Sequence, residues 1–126
     1  MTINFGGTLK LFLFSLIILI STQIVKAEIN QLFIKNCATC HSVQKGDKTL
    51  RAGPNLWGIV GRKAAIDNSY TMYSDAIKKS GIVWNEKNLN KWLTNAGAFI
   101  PGTHMYYMQA DESVRLKIID YLKTLK

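Results

Sequence analysis

The sequence predicts an all-α fold of short helices joined by long loops. Three observations carry that prediction. Apolar residues recur at helical spacing in several short stretches, and no segment alternates apolar and polar residues as a half-buried strand would. A long middle segment is punctuated by glycine and proline. The 126 residues allow one domain rather than two.

The first segment reads as a leader. Leu11 to Ile20 is a run of Leu, Phe and Ile broken only by Ser15. Val25 and Ala27 stand where a signal peptidase takes small or short side chains, which places a cut between Ala27 and Glu28. The competing reading is an uncleaved anchor over residues 9–25, somewhat short for the roughly 20 apolar residues of a spanning helix. In both readings residues 1–27 stand apart from a domain of residues 28–126, and that domain is exported.

Within the domain, Ile29, Leu32, Phe33 and Ile34 suit a helix running over 29–36. Gly46 to Tyr70, with Gly53-Pro54, Gly58 and Gly61, reads as loops. Residues 72–80 suit a short helix stopped by Gly81. Asn85 is placed to cap a helix burying Leu89, Trp92 and Leu93, and a second loop follows through Gly97 and Pro101-Gly102. Asp111 reads as the N-cap of a last helix. Val114, Ile118, Tyr121, Leu122 and Leu125 share one face, and Lys123 and Lys126 stand near its C-terminus.

Residues 28–126 carry 14 Lys or Arg against eight Asp or Glu, a net +6. That surplus suits an acidic partner surface and faster encounter. Nucleic acid is excluded as a partner, because an exported chain does not meet it and no basic run is longer than two residues.

Chemistry concentrates in Cys37-Ala38-Thr39-Cys40-His41. Cysteines three apart on a helical turn lie on one side, suited to add to the two vinyl groups of one haem, and the histidine that follows turns its ring onto the iron. A zinc site fits poorly: the chain has only two cysteines and two histidines, and His41 directly follows Cys40. A thioredoxin-type pair lacks its βαβ surroundings, and a plain disulfide leaves His41 without a role. One covalent haem c is the expected cofactor. His41 fills one axial position; from the residues alone Met72, Met105, Met108 and His104 all remain candidates for the other.

Seven motifs follow one another in the order seen in class I cytochromes c. They are Cys37 to His41, Gly53-Pro54-Asn55-Leu56, Gly61-Arg62-Lys63, Tyr70-Thr71, Gly81-Ile82-Val83-Trp84, Ile100-Pro101-Gly102-Thr103 with Met105, and Ile119-Asp120-Tyr121-Leu122. Over residues 30–125 the chain resembles the mitochondrial and alphaproteobacterial branch of that family. The resemblance implies the small cytochrome c fold wrapped around one haem, with Met105 as distal ligand. Pro54 would orient His41 through its carbonyl, and Arg62, Tyr70, Thr71 and Trp84 would hold the propionates, since buried carboxylates need hydrogen bonds or a countercharge. Asn95 and Thr103 would tune the methionine loop, and Phe33, Ile118 and Tyr121 would form the crossing of first and last helices.

The chain also departs from the family pattern. Trp92 replaces a tyrosine near the methionine sulfur, Ile29 a glycine at the helix crossing, and Ala96 a proline. Asn36, Gly97, Ala98 and His104 stand where relatives carry lysines, leaving Lys35, Lys45, Lys48 and Arg51 to steer. The implied function is one-electron transfer from a quinol–cytochrome c reductase to a terminal oxidase by a monomer that touches the membrane peripherally, or is tethered if the leader stays. This reading makes the chain a carrier and not an enzyme. The alternative is an electron-entry subunit or a peroxidase-like haem protein, which needs an open distal site.

Overall fold

A computed structural model describes residues 13, 15, 23, 27, 28 and 30–126. The leader read over residues 1–27 therefore lies, but for four residues, outside the described part, as does Ile29. Among the described residues no helix is long and apolar enough to cross a membrane.

Each later helix begins where a side-chain oxygen takes up its free N–H groups. The first helix, α1, covers residues 30–36. Helix α2 is Asp75–Lys79, and Ser74 Oγ accepts from Ile77 N at its start. The helix expected over 72–80 thus begins three residues late, because the hydroxyl of Ser74 makes a cap there. Asn85 caps α3, Glu86–Thr94, accepting from Asn88 N at 2.8 Å, and Leu89, Trp92 and Leu93 are buried as the spacing predicts.

The loop expected through Gly97 contains one further helical turn, α4, Ala96–Phe99. Asn95 ends α3 and starts α4, its Oδ1 accepting from Ala98 N at 2.9 Å. Asp111 caps α5, Glu112–Thr124, through Ser113 N and Val114 N. The buried stripe of α5 is Arg115, Ile118, Ile119 and Leu122, so the face is wider than predicted and includes a cation.

Helix α3 packs on α5. Phe33 of α1 meets Tyr121 of α5 with ring centroids 5.2 Å apart, and Phe33 and Ile118 are both fully buried in the common core. A surface ion pair of 2.6 Å joins Lys117 to Glu28 beside this crossing.

Residues 41–74 have no helix, and backbone bonds among themselves, to residues 82–84 and to the ends of α1 and α5 hold them instead. Gly53 N donates to Cys40 O, Leu56 N to Ser42 O and Gly58 N to Leu125 O. Gly61 N donates to Trp84 O, Trp84 N to Arg62 O and Ala64 N to Ile82 O, and an isolated bridge pairs Lys63 with Val83. Among the described residues no strand forms. The fold is all-α, as predicted.

Candidate functional site

The hydrogen bonding of α1 continues as turns beyond residue 36. Cys37 N donates to Phe33 O at 2.8 Å and His41 N to Cys37 O at 2.9 Å. The two cysteines are not joined in a disulfide and stand on consecutive turns. Burial, reinforced by Cys40, pushes the Cys37 thiol up to about 12, so it is uncharged in this setting.

His41 is fixed from two directions. Its Nδ1 lies 2.8 Å from Pro54 O. A carbonyl only accepts, so Nδ1 carries the proton and the Nε2 lone pair is left for a ligand-binding role. Burial lowers the His41 pKa, partly opposed by that hydrogen bond, so the ring is neutral. The other constraint is Gly53. A Cβ there would stand 2.6 Å from His41 Nδ1 and 2.7 Å from Nε2, closer than atoms pack.

Beside this ring is a cavity of about 360 Å³. Cys37, Cys40, His41, Pro54, Arg62, Tyr70, Trp84, Thr103 and Met105 line it together, drawn from distant parts of the chain. Met72 and His104 also reach it. Met108 does not: it is 68 % exposed, and its sulfur accepts from Asn95 Nδ2 at 3.5 Å. Asn95 also lies outside the lining, its amide divided between the α4 cap and Met108. Thr103 is buried, and its Oγ1 accepts from Met105 N at 3.3 Å.

One implied contact is corrected. Thr71 is exposed and does not line the cavity, whereas Tyr73 and Ser74 do. Of the two tandem hydroxyl pairs, both members of the second face the site, next to the cap of α2, and only Tyr70 of the first does. Tyr73 packs edge-on to Tyr70, with centroids 4.8 Å apart. Tyr70 donates its hydroxyl to Ala52 O at 2.6 Å. Arg62 is held by Asn55 O at 2.7 Å and Trp57 O at 3.2 Å, which fixes its charge at the cavity edge. Trp84 and Trp92, both buried, meet at a tilt with ring centroids 5.2 Å apart along another part of the lining.

These residues fit a haem. The lining is mostly apolar, with aromatic and aliphatic side chains on several sides, which suits a flat apolar group. Among the described lining residues Arg62 and Lys63 alone carry a fixed charge and none is a carboxylate, so acidic substituents find countercharges. Zinc finds no equivalent: among the described residues no group of three or more His, Cys, Asp or Glu could hold a metal ion.

A helical shell around two thiols, a neutral imidazole and an apolar slot defines a c-type haem protein. The chain belongs to the cytochrome c family of electron carriers, whose family model, described as cytochrome c, matches residues 27–126. It is 44% identical over 94 residues to cytochrome c of Theileria parva, covering 74% of this chain and 79% of that one. It is 44% identical over 96 residues to cytochrome c2 of Rhodopila globiformis, covering 75% and 88%. The solved structure of cytochrome cH from Methylobacterium extorquens superposes with a TM-score of 0.68 at 36% identity, covering 78% of this chain and 96% of that one. The cofactor is accordingly one covalent haem c, with Cys37 and Cys40 as the thiols of the Cys-x-x-Cys-His motif.

Proposed function

We propose that the chain carries single electrons from a quinol–cytochrome c reductase to a terminal oxidase, with His41 Nε2 and Met105 Sδ as the axial ligands of its haem. The observation that carries this reading is the 2.8 Å contact of His41 Nδ1 with Pro54 O, which presents Nε2 to a cavity that Met105 also lines. The haem supplies an iron that alternates between ferric and ferrous. The chain supplies the rest: a fixed imidazole, a neutral thioether that favours the ferrous form, and a dry apolar surround. Arg62, Tyr70, Tyr73, Ser74 and Trp84 are proposed to hold the propionates, and Thr103 to steady Met105.

Residues 1–27 are proposed as an export leader, cleaved or retained as an anchor, and residues 28–126 as a periplasmic, monomeric domain. The start of the family match at residue 27 supports that boundary. Lys35, Lys45, Lys48 and Arg51 are exposed and suit an acidic docking face on the reductase and oxidase.

Spectra of the ferric and ferrous protein with a redox titration test the reading. The expected result is low-spin haem with the weak far-red band of methionine-bound ferric iron, and a one-electron wave. High-spin bands without the far-red band would overturn it in favour of an open, peroxidase-like site.

A further inference from the structure

We propose that the hydrogen bond from Tyr107 to Asn36 is a latch that holds the Met105 segment against the haem-bearing helix and sets how readily an outside ligand reaches the distal face of the iron. The proposal rests on Met105 being the distal ligand. Tyr107 Oη donates to Asn36 Oδ1 at 3.2 Å, joining residues 71 positions apart, and both residues line the cavity.

What makes this bond distinctive is its isolation. The other hydrogen bonds from residues 100–110 stay within the C-terminal part of the chain. Thr103 and Met105 bond locally, Tyr107 O accepts from Ala96 N, and Gln109 N donates to Leu93 O. Met108 meets Asn95, and Arg115 takes the carbonyls of Gln109 and Ala110. Among the described residues, Tyr107–Asn36 is the only hydrogen bond linking segment 100–110 to any residue before 90.

The geometry also passes the restraint on to Met105. Residues 105–110 alternate between partly buried and exposed, the pattern of an extended chain. Met105 and Tyr107 therefore project from one face, with Tyr106 between them 92 % exposed. On the other side, the amide of Asn36 cannot turn freely, because its Nδ2 donates to Leu32 O at 2.8 Å. The acceptor for Tyr107 is thus fixed to α1, one residue before Cys37.

The test is a spectroscopic titration of the ferric holoprotein with imidazole, which competes with the methionine for iron. Wild type, Tyr107→Phe, Asn36→Ala and the double variant are compared. Each single variant is expected to raise imidazole affinity roughly five-fold, the factor matching a hydrogen bond of ordinary net strength. The double variant is expected to show no further rise. A loss of packing alone would make the two effects multiply, and that result would overturn the latch, as would single variants within two-fold of wild type. Tyr107→Phe removes only a hydroxyl, so the core stays filled. A wild-type ferric protein without the far-red band overturns the ligand assignment itself, and the latch with it; a wild type with the band and unresponsive variants overturns the latch alone.

Discussion

The imidazole of His41 occupies the space into which any side chain on Gly53 would grow. The contact is with a ring held rigidly by Pro54 O, so neither partner can step aside without losing that hydrogen bond. Gly53→Ala is expected to displace the ring or the 52–54 backbone and to destabilise the holoprotein by about 3 kcal/mol or more. Thermal unfolding and the low-spin spectrum check this. An alanine variant with wild-type values for both would refute the contact.

Arg115 is only 7 % exposed, and it makes three hydrogen bonds. Its Nε donates to Asn90 Oδ1 at 2.7 Å, and its Nη1 to Gln109 O at 2.8 Å and Ala110 O at 2.9 Å. The guanidinium therefore ties the end of the Met105 segment to α3 and α5. Arg115→Met leaves those acceptors unsatisfied and is expected to cost about 3 kcal/mol. Arg115→Lys cannot reproduce the planar fork and should recover less than half of it. Heating followed at the far-red band should show Met105 released before global unfolding in both variants.

Asn95 separates two roles by atom. Its Oδ1 caps α4 and its Nδ2 reaches the Met108 sulfur. Asn95→Asp keeps the acceptor and is expected to stay within about 0.5 kcal/mol of wild type, while Asn95→Ala loses about 1 kcal/mol. Denaturant midpoints for the pair decide whether the cap or the sulfur contact matters; equal losses would point to the sulfur contact.

The loop over residues 44–55 should respond to acid. Hydrogen bonds from the side chains of Ser42 and Thr49, then from Thr49 N–H, hold the Asp47 carboxyl down from 3.8 to about 2. A lowered folded-state pKa means the stabilisation is complete above the unfolded value and is lost as pH falls towards 2. Wild type is thus expected to lose stability between about pH 4 and 2 more steeply than Asp47→Asn. Parallel acid-unfolding curves would show that Asp47 contributes nothing to that slope.

Features governed by neighbouring residues were legible in the sequence. The thiols and imidazole of residues 37–41, and the caps Asn85 and Asp111, depend on spacings of five residues or fewer. Features set by distant backbone were less legible. Tyr70-Thr71 and Tyr73-Ser74 look alike in sequence, and only the path of the loop into α2 turns Tyr73 and Ser74 inward. Gly97 and Pro101-Gly102 read as loop punctuation, while the cap on Asn95 makes residues 96–99 a turn of helix. Gly53 is an ordinary punctuation residue until the chain brings His41 over it, and the link between Tyr107 and Asn36 spans most of the domain.

Leu89, Trp92, Leu93, Ile118 and Leu122 belong at once to the core and to the cavity wall. A haem in the cavity would cover the inner faces of α3 and α5, so attachment is expected to stabilise the fold. For the cell this turns the protein into a gauge. A chain that misses attachment would leave those faces uncovered and is expected to be cleared faster by proteases, so the steady-state amount of folded protein should follow haem delivery rather than transcription. Pulse-chase comparison of cells with limited and ample haem, at equal message levels, measures that directly: equal lifetimes of the chain in both would refute it.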